Sequence, residues 1–476
     1  MSENNLDEKA GGNGKPSLQK ILKELIQPFI DLFRTSRALF GLNLSYVLEG
    51  ITYFGVVGLL AIFFNEYIDL DDIVAGQMVG FLTAGITLSM LILGATVDWI
   101  GVRKSFLISL LFMLVGRVLL TLSPEMGSPG LWNSAHWIAL TGLMGVIIGY
   151  GIYQPAAYAG VKKFTSSRNS AMGYAMLYAL MNLGGFLPGI ISPPVRRAFE
   201  ITGVFWVYVG LTVAGILAVA FIITPGAEKK AALEAEEEES RISGRSQHTE
   251  EENELDALPF REKVKYYLKN FPLKDTRFLY FIFILIPVQT LFAHNWLTLP
   301  QYTSRAFEGF VSDNFEFFVN LNPILIFILT PIVTAFTAHK NPYKMMIIGT
   351  FVMAMPTFIL ALGPNINTLM AYLLIMTIGE AMWQPRFLQW VAEIAPRNMT
   401  GIYMGIGQFP WFLTKIITSL YSGWFLMKYC PENTPPSDMN TGMMWFIYGL
   451  IAIISPIGLI LASRWMQKGF KVKHEG

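Results

Sequence analysis

Residues 203–224 read GVFWVYVGLTVAGILAVAFIIT, an apolar stretch without Asp, Glu, Lys or Arg. Similar stretches recur along the chain and are separated by short polar connections. A helix of about 20 apolar residues crosses the hydrocarbon core of a bilayer. The composition agrees, because 53% of the residues are hydrophobic and 14% are charged, whereas soluble domains carry about 25% charged residues. We therefore predict an all-α integral membrane protein.

Twelve spans are predicted, six on each side of a polar central stretch. They lie near residues 38–66, 74–97, 103–123, 136–161, 171–194, 203–224, 277–300, 315–338, 343–363, 367–394, 400–427 and 441–465. Lys and Arg cluster in alternate connections, which is typical of the cytoplasmic side. Both termini are therefore predicted to be cytoplasmic. The exceptions to this charge pattern are Arg196, Arg197, Arg305 and Lys428.

The predicted domain organisation has five parts. A tail with an amphipathic helix along the inner membrane face covers 1–37, and six-helix bundles cover 38–224 and 277–466. Between the bundles, 225–276 is rich in glutamate, which predicts a disordered cytoplasmic linker. Residues 467–476 form a second cytoplasmic tail.

Several classes of function are excluded. A net charge of +1 gives no sign of nucleic-acid binding. The sequence has no phosphate-cradling GxxxxGK[ST] motif and no His/Cys grouping with metal spacing. We therefore predict no enzyme, no metal and no cofactor. We expect a monomeric, multi-pass protein of the cell membrane, which in a bacterium is the inner membrane, and its partners are the lipid bilayer, a small-molecule substrate and protons.

A short internal repeat relates the two halves. Gln154-Pro155 precedes Arg168-Asn169 and Tyr174, and Gln384-Pro385 precedes Arg397-Asn398 and Tyr403. A proline inside a membrane helix frees a carbonyl and bends the axis, so paired breaks indicate two repeats around a central cavity. A chance coincidence of two dipeptides is the alternative.

The loop after the second span reads Gly94-Ala-Thr-Val-Asp98-Trp-Ile-Gly101-Val-Arg103-Lys104. It resembles the signature loop of the major facilitator superfamily. The resemblance implies two six-helix bundles, with Asp98 as a structural latch and Arg103 at the lipid headgroups. The predicted gating or structural residues are Gly94, Asp98, Gly101, Arg103, Pro155 and Pro385.

Within that superfamily the chain resembles a divergent member of the proton-dependent oligopeptide transporter family. The matching segments are Glu49-Gly-Ile-Thr-Tyr53-Phe54-Gly55, Gly149 to Pro155, Leu177-Tyr178-Ala-Leu-Met-Asn182-Leu-Gly184, Asn322-Pro323 and Gly379-Glu380. The resemblance implies a secondary transporter that moves a small polar solute, such as a di- or tripeptide, by proton-coupled alternating access. The chain departs from the family at Tyr46, Gly50, Val57, Gln154 and Gly407, where family members carry acidic, basic or tryptophan residues. These departures leave the peptide substrate and the usual proton route open.

Ionisable residues inside the spans are candidates for function, because each is costly to bury. They are Glu49, Arg117, Glu380, Arg386 and Lys415. The predicted substrate-binding residues are Glu49, Tyr53, Gln154, Asn182, Trp296, Asn322, Glu380 and Lys415, and the predicted proton-coupling residues are Glu49 and Glu380.

Alternatives stay open for these residues and for the function. Glu49 either faces the cavity or forms a buried structural pair, and Lys415 either binds an anion or pairs with a carboxylate such as Glu380. Arg117 is expected to be a structural hydrogen-bonding hub. The alternative functions are a uniporter or symporter of a non-peptide organic anion, and a receptor of the same fold that has lost transport.

Overall fold

The computed structural model describes residues 36–94, 96–243, 274–337, 340–394, 406–407 and 409–470. These residues form helices joined by short connections, and no strand occurs among them. Those of the first half are α1 Arg37–Glu66, α2 Asp72–Leu93, α3 Thr96–Ile100, α4 Val102–Met126, α5 Ser134–Phe164, α6 Ser167–Phe186, α7 Pro188–Ile222 and α8 Pro225–Ser243.

The second half begins with a series of short helices. They are α9 Thr276–Ile284, α10 Ile286–Leu297, α11 Leu299–Ala306, α12 Phe310–Asp313, α13 Phe315–Val319 and α14 Leu321–Thr337. Longer elements follow, namely α15 Pro342–Ala354, α16 Thr357–Leu360, α17 Ile366–Ile394, α18 Phe409–Tyr429, α19 Thr441–Ala452 and α20 Ile454–Phe470.

Ten helical stretches within the described residues are long and apolar enough to cross a membrane. The longest, Ala179–Ile222, contains parts of two predicted spans. It is interrupted at Phe199 and Glu200, and Glu200 has a φ of 60°, a conformation that breaks a helix. The all-helical membrane fold is thus confirmed, whereas the count of twelve spans stays a prediction.

Polar side chains mark the places where helices begin. Ser36 accepts a hydrogen bond from the amide of Leu39 at the start of α1, and Asp71 accepts one from Val74 at the start of α2. Each cap satisfies an amide that has no partner within the helix. The short polar connections therefore terminate the apolar stretches at defined residues.

Small residues allow helices to approach closely, as is common in membrane bundles. Within the first half, a side chain at Gly116 of α4 would lie 2.5 Å from the carbonyl oxygen of Gly142 on α5. Between the halves, one at Gly423 of α18 would lie 2.1 Å from the backbone oxygen of Asp72. The same two helices are in contact further along, where Gly80 of α2 lies against Ser419 of α18.

The prediction of a disordered linker is wrong for residues 225–243, which form α8. Ala231 of this helix is buried, and Lys163 of α5 lies 3.0 Å from the Glu228 carboxylate. Ala, Lys, Glu and Leu are strong helix formers, so a docking surface is enough to order this acidic stretch. The predicted amphipathic helix in the N-terminal tail and most of the remaining linker lie outside the described residues.

The described contacts of the signature loop, which runs from Gly94 to Lys104, hold the ends of helices. Gly101 has a φ of 82°, which suits glycine because it has no Cβ. Arg103 donates from Nε to the carbonyl oxygen of Ile223 at 2.6 Å, so it satisfies the end of α7 in addition to any headgroup contact. The side chain of Asp98 lies outside the described part of the chain. Helices α5 and α17 continue through Pro155 and Pro385.

Candidate functional site

A cavity of about 190 Å³ lies between the two halves of the chain. From the first half, α1 and α6 contribute to its wall, and from the second half α10, α13, α14 and α17 do so. The residues that form the cavity wall are Phe54, Val57, Gly58, Met181, Asn182, Phe292, Asn295, Trp296, Val319, Asn320, Asn322, Pro323, Ile326, Glu380 and Gln384.

Glu380 is the acidic residue of this wall, and it is 3% exposed. Asn322 donates from Nδ2 to Oε2 of Glu380 at 3.0 Å and lies equally close to the hydroxyl of Thr377. Within the described residues, no Lys, Arg or His lies within ion-pair distance of Glu380. Its carboxylate therefore has polar neighbours but no counter-charge among the described residues.

The rest of the wall combines aromatic rings with amides. Phe292 and Trp296 pack edge to face with ring centroids 4.8 Å apart. Oδ1 of Asn295 and Nε1 of Trp296 are buried and have no hydrogen-bond partner among the described residues. Buried polar atoms in proteins are nearly always paired. Two unpaired ones on the cavity wall therefore indicate positions where a solute can form hydrogen bonds.

Glu49 is surrounded by very different neighbours. Nη1 of Arg117 lies 2.8 Å from Oε2 of Glu49, Nη2 contacts Oε1, and the hydroxyl of Tyr150 donates to Oε1 at 2.5 Å. Arg117 also donates to the hydroxyl of Thr212 at 2.6 Å. Glu49 thus forms a buried ion pair within the first half and is not part of the cavity wall. Of the two alternatives left open, this geometry favours the structural pair.

Lys415 lies where α18 packs against α2. Its Nζ donates to the hydroxyl of Thr87 at 3.4 Å, and no carboxylate within the described residues forms an ion pair with it. Of the two alternatives left open for Lys415, pairing with Glu380 therefore finds no support among the described residues. Because Lys415 is also absent from the wall, its role in anion binding stays a prediction.

The remaining predicted residues divide between the cavity and its surroundings. Gln154 donates to the hydroxyls of Tyr46 and Tyr158 at 2.7 and 3.1 Å, and the ring of Tyr53 packs on Tyr150. Neither Gln154 nor Tyr53 contributes to the wall. The structure thus brings together four of the predicted substrate-binding residues, Asn182, Trp296, Asn322 and Glu380.

Ion pairs join the two halves at the end of the molecule where α2 begins. Arg305 on α11 donates to both carboxylate oxygens of Asp72, at 2.7 and 2.8 Å. Arg196 on α7 pairs with Glu316 on α13. These pairs were not predicted as a site, although Arg196 and Arg305 were exceptions to the charge pattern. Each of the two arginines pairs with a carboxylate of the other half. These pairs account for the basic residues that did not fit the charge pattern.

The profile of the Major Facilitator Superfamily matches residues 42–419. The chain belongs to the Major Facilitator Superfamily. Membership confirms the resemblance drawn from the signature loop, and it makes the protein a multi-pass membrane transporter rather than an enzyme. No curated protein sequence matches the chain.

Solved structures within the superfamily share this fold. A peptide transporter POT in complex with sulfate has 16% sequence identity and a TM-score of 0.66, and the match covers 91% of this chain and 96% of that chain. A POT family transporter in complex with a thioalcohol-conjugated peptide has 16% identity and a TM-score of 0.64, with coverage of 90% and 96%. Another, in complex with 5-aminolevulinic acid, has 16% identity and a TM-score of 0.62, with coverage of 90% and 97%.

Proposed function

We propose that the protein is a proton-coupled secondary transporter that moves a small polar solute through the cavity by alternating access. The observation that carries the proposal is the position of Glu380 on the wall of a cavity that both halves build, where no described residue supplies a counter-charge to its carboxylate. Superfamily transporters bind their solutes near the midplane, where two helical repeats meet.

The proposed movement is a rocking of the two halves around this cavity. With twelve spans and both termini in the cytoplasm, the end that carries Asp72 and Arg305 faces outward. The ion pair of these residues and the close packing at Gly423 then close the outer side. Transport requires that these contacts break and that others form at the opposite end, with solute and protons shifting the balance between the two states.

Glu380 is the proposed proton carrier. An ionised carboxylate without a counter-charge is costly to bury, and it can be neutralised by a proton or by a positively charged solute. Glu49 does not have this freedom, since Arg117 and Tyr150 already satisfy it. We therefore assign coupling to Glu380 alone and give Glu49 a structural role.

The solute is small, since a cavity of about 190 Å³ is below the roughly 300–1,000 Å³ of sites for drug-sized ligands. The related structures hold sulfate, a conjugated peptide and 5-aminolevulinic acid. Di- and tripeptides remain the class that the family resemblance predicts. An organic anion is less well supported, because no basic side chain occurs among the described wall residues.

The test is solute uptake by purified protein in proteoliposomes. Radiolabelled di- and tripeptides, small amines and organic acids are offered with and without an imposed proton gradient. We expect at least one solute to accumulate in response to the gradient, and we expect Glu380→Gln to lose that response. Glu228→Gln on the surface helix α8 makes the same chemical change outside the cavity and should behave as wild type.

Other outcomes distinguish the alternative functions. Uptake that ignores the proton gradient in wild type would indicate a uniporter and contradict the proposed coupling. Binding of a solute without any counterflow would indicate a receptor that has lost transport. Loss of gradient-driven uptake in both Glu380→Gln and Glu228→Gln would remove the assignment of coupling to Glu380.

A further inference from the structure

Lys415 lies in the contact between the two halves and has no carboxylate partner among the described residues. It is one turn of α18 from Ser419, which packs against Gly80 of α2. It precedes the end of α18 at Tyr429 by 14 residues, a distance of about 21 Å along a helix. The hydrocarbon core of a bilayer is about 30 Å thick, so this lysine is deep within the membrane part of the protein.

The surroundings of Lys415 suit an amine better than a charged ammonium group. The side chain is partly buried, and its Nζ donates to the hydroxyl of Thr87 on α2 at 3.4 Å. Thr87 donates its own hydroxyl hydrogen to the carbonyl oxygen of Thr83, so it offers Lys415 a lone pair. One hydrogen bond of this length replaces little of the hydration of an ammonium group. Arg196 and Arg305, which also join the halves, have carboxylates instead.

No other charged side chain among the described residues acts on Lys415. Helix α18 packs against α2, α9, α10 and α19. The titratable residue of α2 is Asp72, which is 15 residues from Thr87 and pairs with Arg305. Those of the other three helices have contacts elsewhere, and they are Arg277 over Trp465, Tyr280 with Gly458, His294 with Thr298, and Tyr448 with His294. On α18 itself, Tyr421, Lys428 and Tyr429 are at least six residues further along. The charge of Lys415 therefore depends on its access to water.

We propose that Lys415 is a proton-operated switch of the contact between α2 and α18, neutral while the two helices touch and charged when they separate. As the helices come together, the ammonium group gives its proton to water, and the neutral amine keeps its hydrogen bond to Thr87. When they separate, water enters between them and the amine takes up a proton again. Both steps exchange the proton with the water that enters this gap, so Lys415 shifts the balance of two states and carries no proton across the membrane.

The switch has a defined sign. Contact between α2 and α18 releases a proton, so raising the pH should favour the state in which they touch. One proton per event corresponds to a change of up to about tenfold per pH unit in the ratio of the two states. The inference rests on the proposed function only in taking the two halves to rock against each other.

The experiment is single-molecule fluorescence transfer on the full-length protein in nanodiscs, without solute. One dye is attached through Glu125→Cys at the end of α4 and the other through Asp438→Cys in the connection after α18. Both positions are exposed, and they belong to different halves at the end of the molecule where α2 begins. Cys430→Ala removes the native thiol. The ratio of the two states is measured from about pH 6 to about pH 10, where exposed lysines keep their charge.

Substitutions of Lys415 should fix the balance that pH moves in the parent protein. Lys415→Met has no charge at any pH, so we expect the contact to persist over the whole range. Lys415→Arg keeps its charge throughout, so the separated state should dominate at every pH. Lys428→Met makes the same change as Lys415→Met near the end of α18 and should leave the pH profile unchanged.

The inference is overturned if the ratio of states does not change with pH, or if Lys415→Arg retains the pH profile of the parent protein. It is also overturned if Lys415→Met changes solute uptake but not the ratio of states, since the lysine would then act in binding. Should Lys415→Met fail to fold, Thr87→Val decides the matter, because loss of the acceptor should favour separation several-fold at low pH and little at high pH. A failed switch leaves transport intact, whereas a pH-dependent contact without any solute uptake would refute the proposed function alone.

Discussion

Glu49 in the first half and Glu380 in the second are both buried in the membrane part of this protein, and each is 3% exposed. Glu49 is held by Arg117, Tyr150 and, through Arg117, Thr212. Glu380 has Asn322 as its protein donor and faces the cavity. Burial alone therefore does not identify a functional carboxylate. A counter-charge beside Glu49 and a cavity beside Glu380 distinguish the structural and coupling roles that we propose for them.

The largest expected effect comes from breaking the pair in the first half. Arg117→Met leaves the Glu49 charge buried beside neutral groups, and removal of one partner of a buried pair costs about 3–5 kcal/mol. We expect a strong fall in melting temperature and in the yield of monodisperse protein. Fluorescence-detected size exclusion after a heating series measures both.

The double variant Glu49→Gln/Arg117→Met is the control for this prediction. Removing both charges together leaves no unpaired ion, so most of the lost stability should return. If the double variant transports its solute in response to a proton gradient, Glu49 has no part in coupling. If it is stable but uncoupled, the contrast between the two glutamates is wrong.

Glu380→Gln should affect transport more than stability, in contrast to Arg117→Met. A neutral amide fits beside Asn322 and avoids a buried charge, so we expect stability to stay within about 1 kcal/mol of wild type. Proton-driven uptake should fall by about two orders of magnitude, since loss of a charged hydrogen-bonding group costs about 1.5–3 kcal/mol. Melting curves and uptake rates from the same preparation give the comparison, and a large loss of stability would contradict it.

The sequence was sufficient to predict the all-helical membrane fold, because apolar stretches of bilayer length have no other stable form in lipid. Family resemblance also predicts Asn182, Trp296, Asn322 and Glu380 as substrate-binding residues, and all four lie on the cavity wall. It did not identify Asn295, since a single asparagine beside Trp296 has no pattern of its own. Only the structure places Asn295 of α10 on the cavity wall, with no hydrogen-bond partner for its Oδ1 among the described residues.

The partner of Glu49 could not be predicted for a physical reason. Tyr46, Glu49 and Tyr53 recur at helical spacing and define one face of α1. That face can point either to the cavity or to another helix of the same half. Arg117 lies 68 residues further along the chain, so only the tertiary structure, which brings the Arg117 side chain of α4 to Glu49, decides between the two. The ion pairs between the halves are indicated in the sequence, because Arg196 and Arg305 do not fit the distribution of basic residues.

A smaller effect is expected from the ion pair that joins the halves, which contrasts with the pair inside one half. Arg305→Met removes both hydrogen bonds to Asp72 and should loosen the contact between the halves at the end where α2 begins, without unfolding either half. We expect initial uptake rates to change by roughly tenfold, corresponding to about 1.4 kcal/mol, with little change in melting temperature. Lys428→Gln, whose side chain packs on Trp424 at the same end, is the matched control and should be neutral.

The smallest expected effects come from removing one neutral hydrogen-bond partner from each glutamate. Tyr150→Phe deletes the hydroxyl that donates to Glu49, which should lower stability by about 1–2 kcal/mol and leave solute uptake unchanged, because Arg117 still holds the carboxylate. Asn322→Leu deletes the donor to Glu380 and should change uptake several-fold with a smaller change in stability. Tyr150→Phe should therefore lower the melting temperature without changing uptake, whereas Asn322→Leu should change uptake more than melting temperature. Equal effects of the two variants on uptake would mean that the ion pair in the first half and the cavity are coupled, and that Glu49 acts in transport after all.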